Sequence, residues 1–256
     1  SQGNLMTQTF GEITAPSVVK NDCTSCHSVS RTASRIGYSR CVANDCGQIF
    51  AGFMHYDGNA KAWVETVDAN NKAISGSYTT FSPRGTLIVS ETGPGAANGS
   101  TVSSYAVRAD LTLQPISTAV PTLGTANCWN VITPDGRFVY VSNAGSASIA
   151  GFAVAPSGAL NPLPGTIVGS NADGATNLDI AISADGAFLY SLNAGDGIIG
   201  VFAIDQHSGA LTSLGRVTGL LGAYLALVEL LLLARLPILD AVGLDRVGRW
   251  HRVNGT

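Results

Sequence analysis

The residues with the most distinctive chemical spacing are Cys23, Thr24, Ser25, Cys26 and His27, a Cys-x-x-Cys-His run followed by Cys41 and Cys46. Four chemistries fit it. Cys23 and Cys26 could form thioethers to a c-type haem, with His27 as the proximal ligand and Met54 or His55 as the distal one. The four thiolates could instead hold zinc tetrahedrally. Two structural disulfides of an exported protein are a third reading, and unpaired buried thiols a fourth. Cys128 is the odd cysteine, expected to be buried in an inner strand.

A second set of candidates is scattered through the chain. Glu91 and Asp179 carry carboxylates that could take a proton from water if burial raised their pKa. Trp129 offers an apolar wall, and Asn130 and Asn177 offer amides to a small-molecule ligand. Asn and Asp at strand ends also serve as plain turn residues that satisfy nearby backbone groups. The run Gly195-Asp196-Gly197-Ile198-Ile199-Gly200 matches GxGxxG, but it lies between two strands rather than between a strand and a helix, so it is no dinucleotide site. GxSxG, P-loop and HExxH patterns do not occur, which leaves several hydrolase classes unsupported.

Residues so far apart need a fold to gather them, and an internal repeat supplies one. TTFSPRGTLIVSETG from Thr79, NVITPDGRFVYVSNAG from Asn130 and DIAISADGAFLYSLNAG from Asp179 align, with Gly85, Gly136 and Gly186 spaced 51 and 50 residues apart. Each turn leads into an alternating strand such as Arg137 to Val141, then a second run (Val102 to Val107, Ser148 to Val154, Ile198 to Ile204) and a hairpin such as Ser208-Gly209-Ala210-Leu211. With the short strand ahead of each turn, every unit has four strands, the pattern of a propeller blade. Glu91 stands where the other units have Asn143 and Asn193.

The stretches CWNVITPDGRFVYVSNAGSASIAGFAVAPSGAL and IAISADGAFLYSLNAGDGIIGVFAIDQHSGALTSLG resemble the lactonase-type β-propeller family, which includes the propeller form of 6-phosphogluconolactonase. The likeness runs over about residues 72–219. It implies hydrolysis of a sugar or organic lactone, a carboxylic ester hydrolase activity, at a central channel lined by inner strands. Active members commonly carry histidine on the inner strand before the PDG turn. Cys128 stands at that place here, and none of His27, His55, His207 and His251 is expected within an inner strand. A catalytically degenerate propeller that binds or scaffolds is the alternative function, and a membrane-tethered c-type haem redox protein a third.

The expected fold is therefore all-β: an incomplete β-propeller of four-stranded antiparallel blades with a C-terminal apolar helix. Residues 1–71 form a Cys-containing segment of uncertain fold, residues 72–218 three blades, and residues 219–256 the helix and a basic tail. Gly219 to Leu239 is apolar apart from Glu229 and Arg235 and is near the length that spans a bilayer, so a membrane anchor and a buried helix both fit. The tail LLLARLPILDAVGLDRVGRWHR is similar to a ferric-reductase-like transmembrane segment. With 14 basic against 17 acidic residues, nucleic acid is excluded as a general partner. No basic, apolar and small-residue succession opens the chain, so a signal peptide is read as absent or already removed. The lactonase-like reading carries the expectation of an exported protein, periplasmic, extracellular or at the cell surface, with membrane association open. Open blade faces imply self-association. Apart from haem or zinc at the N-terminal cysteines, no cofactor is expected.

Overall fold

The computed structural model describes residues 5–7, 17–20, 24–42, 48–66, 74–93 and 97–218. Strands β1 (Leu5–Thr7) and β2 (Ser17–Lys20) pair with each other. Four antiparallel sheets follow. Blade 1 is β3 (Thr24–Val29), β4 (Arg35–Val42), β5 (Gln48–Asp57) and β6 (Ala62–Thr66), with the short β7 (Ile74–Ser75) also on β5. Blade 2 is β8 (Tyr78–Phe81), β9 (Leu87–Glu91), β10 (Thr101–Val107) and β11 (Leu113–Pro121). Blade 3 is β12 (Asn127–Ile132), β13 (Phe138–Asn143), β14 (Ser148–Val154) and β15 (Leu160–Ser170). Blade 4 is β16 (Asn177–Ile182), β17 (Phe188–Asn193), β18 (Ile198–Ile204) and β19 (Leu211–Thr218).

The all-β propeller architecture is as expected, but it has four blades among the described residues rather than three. Blade 1 lies in the segment read as of uncertain fold, and β7, beyond residue 72, pairs with β5 before it. Its first turn hides the kinship. Ser30 N donates to Arg35 O and Ala33 N to Ser30 O, the bonds that Thr133 N and Gly136 N make in blade 3. The left-handed position is filled by Ala33 (φ 52°), where the other blades have glycine, so the PxG signature is missing although the geometry is kept.

Neighbouring blades bury their sheet faces on one another. Ala51 and Phe53 of blade 1 meet Phe81, Leu87 and Val89 of blade 2. Ile88 and Val102 of blade 2 meet Val139, Val141 and Phe152 of blade 3. Phe138, Tyr140 and Ile149 of blade 3 meet Ile180, Leu189 and Phe202 of blade 4. Each fully buried aliphatic or aromatic side chain contributes roughly 1.5–3 kcal/mol.

Polar clamps repeat at the seams. Asn127 Nδ2 donates to Thr101 O of the preceding blade (2.7 Å), and Asn177 Nδ2 to Ser148 O in the same way (3.0 Å). Tyr140 donates its hydroxyl to Gly209 O of the next blade (2.8 Å). Gly209 has φ +74°, and a Cβ there would stand 2.5 Å from the Phe138 ring. Glycine is required by both the backbone and the close approach.

Strands β3, β8, β12 and β16 contact one another in that order, so they are the innermost strands of a continuous arc. The apolar segment 219–239, with the expected C-terminal helix, lies outside the described residues, as do Cys23 and Cys46. Among the described residues no helix is long and apolar enough to cross a membrane.

Candidate functional site

Irregular pairing shapes the axis side of the arc. The register of inner strand against second strand shifts between Ser25 and His27 in blade 1, between Asn127 and Asn130 in blade 3, and between Asn177 and Asp179 in blade 4. An extra residue at such a shift breaks the strict alternation of faces and re-aims a side chain.

The result is a cavity of about 230 Å³ lined by His27 of β3, Tyr78 and Thr79 of β8, and Trp129 and Asn130 of β12. The expectation that no histidine lies on an inner strand is thereby corrected: His27 is on the innermost strand of the blade that the repeat pattern did not reveal. His27 is exposed, and no hydrogen bond from a described residue reaches its ring. The rings of Tyr78 and Trp129 stack with centroids 4.2 Å apart and planes 31° from parallel. Thr79 Oγ1 lies 3.3 Å from Ser28 Oγ. Asn130 is buried; its Nδ2 donates to Ser90 Oγ (2.7 Å) and Tyr78 O (3.3 Å), and its Oδ1 has no partner.

The other sequence candidates lie apart from this cavity's wall. Glu91 accepts hydrogen bonds from Thr101 Oγ1 and, at 2.6 Å, from Ser103 Oγ, both on β10 of its own blade. Asn177 is wholly buried as the seam clamp, and its carbonyl also accepts from the Ser142 hydroxyl. Asp179 is exposed on β16, its Oδ1 accepting from Ile180 N at 2.8 Å. Burial of its carboxyl by neighbouring groups pushes the pKa up, against the opposing pull of that backbone bond. Cys128 is half-buried on β12, with Sγ 3.7 Å from Ala126 O.

Cys26 is on β3 beside His27, and Met54 is buried among Ile36, Tyr38 and Trp63. No group of three metal-ligating side chains occurs among the described residues. A larger cavity of about 400 Å³ sits between the loops of blades 3 and 4, but small residues such as Ala126, Ala144 and Gly145 line it and Asp173 is its sole ionisable group.

Tyr78 was missed by the sequence reading although a signal existed. Tyr78, Trp129 and Asp179 each stand four residues before the hydroxyl residue that opens the turn: Ser82, Thr133 and Ser183.

The fold and cavity define an arc of β-propeller with a ligand-sized hollow on its axis side. Residues 98–220 match the family model described as "Lactonase, 7-bladed beta-propeller". The periplasmic gluconolactonase PpgL of Pseudomonas aeruginosa has the same fold: 20% identity, TM-score 0.61, covering 78% of this chain and 59% of that one. So does a protein of Lactobacillus plantarum, with 18% identity and TM-score 0.60 over 79% of this chain and 57% of that one. A Bacteroides uniformis protein provisionally described as a 6-phosphogluconolactonase gives 21% identity and TM-score 0.57 over 76% and 55%. The chain thus spans less than two thirds of the length of these neighbours. No curated protein matched it. Nothing in these comparisons supports the ferric-reductase-like likeness of the tail.

Proposed function

We propose that the inner-strand cavity binds a small lactone and opens it with water, His27 serving as general base. The observation that carries this reading is the cavity itself: an imidazole, a stacked aromatic pair and a hydroxyl drawn from three successive inner strands. Its volume lies below the roughly 300–1,000 Å³ of drug-sized sites, which suits a single ring.

The unprotonated imidazole of His27 takes a proton from water as the water oxygen bonds to the acyl carbon. The ring C–O bond then breaks, and the departing alkoxide takes the proton back from the imidazolium, leaving the hydroxy acid. Tyr78 and Trp129 hold the apolar face of the ring, and the Thr79 hydroxyl is available as a donor to the carbonyl oxygen. The match to the lactonase model and the gluconolactonase neighbour support the same reaction class, and the periplasmic location of that neighbour supports export.

A binding module is the second reading. It is favoured by the described lining of the cavity, which offers no Lys or Arg to an oxyanion. Acid release from glucono-1,5-lactone, followed by pH-stat above the spontaneous rate, separates the two. The hydrolase reading expects turnover that falls about 10²–10⁴-fold in His27→Ala. Folded wild-type protein without turnover leaves the binding reading. A Soret band that survives acid–acetone extraction would instead assign His27, with Cys23 and Cys26, to haem.

A further inference from the structure

We infer that the uncovered face of blade 4 docks on the same face of a second copy of this chain, the two copies related by a twofold axis that runs along the strands between β17 and β18.

Register defines the face, because residues directly opposite on neighbouring strands project to the same side of a sheet. Ala181, Tyr190, Val201 and Gly215 form one row across the four strands, Asp179, Leu192 and Ile199 a second, and Phe188 and Ala203 a third. The other side of the sheet, with Ile180, Leu189, Phe202 and Ile204, is buried on blade 3. Blades 1, 2 and 3 each bury the side corresponding to these rows on the blade that follows. On blade 4 it leaves Tyr190 and Leu192 exposed beside the half-buried Phe188, Ile199 and Val201. This is the composition of a blade seam without its second half.

Head-to-tail docking, with blade 1 of another copy following blade 4, needs the outer side of blade 1 to be free. A Cβ on Gly37 would point at Thr79 and Leu87 of blade 2, so its strand neighbours Ile36 and Tyr38 face away from that blade, as does Met54 opposite Ile36. Those three are only 6%, 0% and 2% exposed, so that side is already covered. The blade 4 face is left to pair with itself, as a twofold interface does.

The rows are self-complementary under that axis, which lays β17 of one copy on β18 of the other. Phe188 meets the partner's Ala203, Tyr190 the partner's Val201 and Leu192 the partner's Ile199. Ala181 meets the partner's Gly215, which has no side chain. Rings over small side chains let two sheets interdigitate at a spacing of about 10 Å. Asp179 is the sole charged group in the described rows, and with strands about 4.8 Å apart the two copies of it lie on opposite edges, roughly 14 Å apart. That exceeds the Debye length of about 8 Å at physiological salt. Four strands of about seven residues give roughly 400–500 Å² per copy. The total of about 1,000 Å² is at the lower bound for a specific interface and implies a weak dimer, with a dissociation constant on the order of 10 µM.

The test is sedimentation velocity of the full chain from about 1 to 200 µM, in which a 26.2 kDa species should give way to one of twice that mass. Leu192→Glu and Ile199→Lys should each weaken association at least tenfold. An equimolar mixture of the two variants should restore it, because the axis sets position 192 of one copy on position 199 of the other. Far-UV dichroism checks folding. If Ile199→Lys does not fold, Tyr190→Glu mixed with Val201→Lys tests the same relation. Val64→Glu, at an exposed position of blade 1, should leave the dimer unchanged. Hydroxyl-radical labelling of wild type should find Tyr190 and Leu192 reactive at about 1 µM and protected at about 200 µM. A monomer over the whole range overturns the inference, whether those residues are reactive or are covered by another part of the chain. So does a dimer that survives Leu192→Glu, one that Val64→Glu weakens equally, or a mixture of folded variants that stays monomeric.

Discussion

The strand Phe138–Asn143 of blade 3 and the strand Phe188–Asn193 of blade 4 occupy the same register, yet their fates differ. Every residue of the first is buried, with Tyr140 at 0% exposure, whereas in the second Tyr190 is 38% and Leu192 47% exposed. Both tyrosines project from the side facing away from the preceding blade. Blade 4 covers one, and no described blade covers the other. In a stack of repeats, burial is conferred by the neighbour and not by the strand's own sequence. The same strand shows this on its other side, where Leu189, facing blade 3, is fully buried.

The sharpest way to break this contrast is to truncate both tyrosines. Tyr140→Ala removes a buried ring and the donor to Gly209 O, and is expected to cost about 3–5 kcal/mol in denaturant unfolding. Tyr190→Ala should cost less than about 1 kcal/mol. Equal losses would mean that the face of blade 4 is covered in solution.

The next effect in size compares two glycines of blade 4. Gly209 and Gly197 both have left-handed φ, +74° and +67°, but a Cβ on Gly209 strikes Phe138 and one on Gly197 meets nothing within 4 Å. Gly197→Ala should therefore carry only the backbone term, about 1–2 kcal/mol. Gly209→Ala should add roughly 1–3 kcal/mol of overpacking. A calorimetric melt of each variant checks the difference.

These contrasts also show what was legible in the sequence. Period-two alternation and glycine turns at fixed spacing specify blades 2 to 4 because they act locally, through strand faces and positive φ. Blade 1 was not legible, since Ala33 replaces the marker glycine and its strands carry cysteines, a methionine and polar residues in place of the Val-Tyr-Val type. The cavity depended on that blade. With β3 unrecognised, His27 read as part of a metal or haem motif rather than as a channel residue beside Tyr78 and Trp129. Trp129 and Asn130 were found because their blade was found. Asn177 was singled out for its place at an inner-strand end, but the amide is spent on the seam, a long-range partnership that no local pattern encodes.

Asn177 gives the third prediction. Asn177→Ala leaves the buried Ser148 carbonyl without its donor, which costs about 1–3 kcal/mol. Asn127→Ala should cost a similar amount at the seam of blades 2 and 3, where Thr101 O loses its donor. If clamps at both seams act alike, the two losses should agree to within about 0.5 kcal/mol and add in the double variant.

The smallest effect is a pH dependence carried by the covered Tyr140. Burial pushes the Tyr140 hydroxyl well above its ordinary value of 10.0, and the nearby carboxylates of Asp135 and Asp205 push it the same way. The folded state therefore holds this proton at pH values where the unfolded chain has released it. By linkage, its contribution to stability is complete below about pH 10 and declines as pH rises above that value. Tyr140→Phe keeps the ring, loses the bond to Gly209 O for about 1 kcal/mol at neutral pH, and should flatten the loss of stability above pH 10. Unfolding curves at pH 8, 10 and 11 for the wild type and this variant decide the point. An alkaline limb that persists in Tyr140→Phe would place the titrating group elsewhere and remove the link between blade contact and proton affinity.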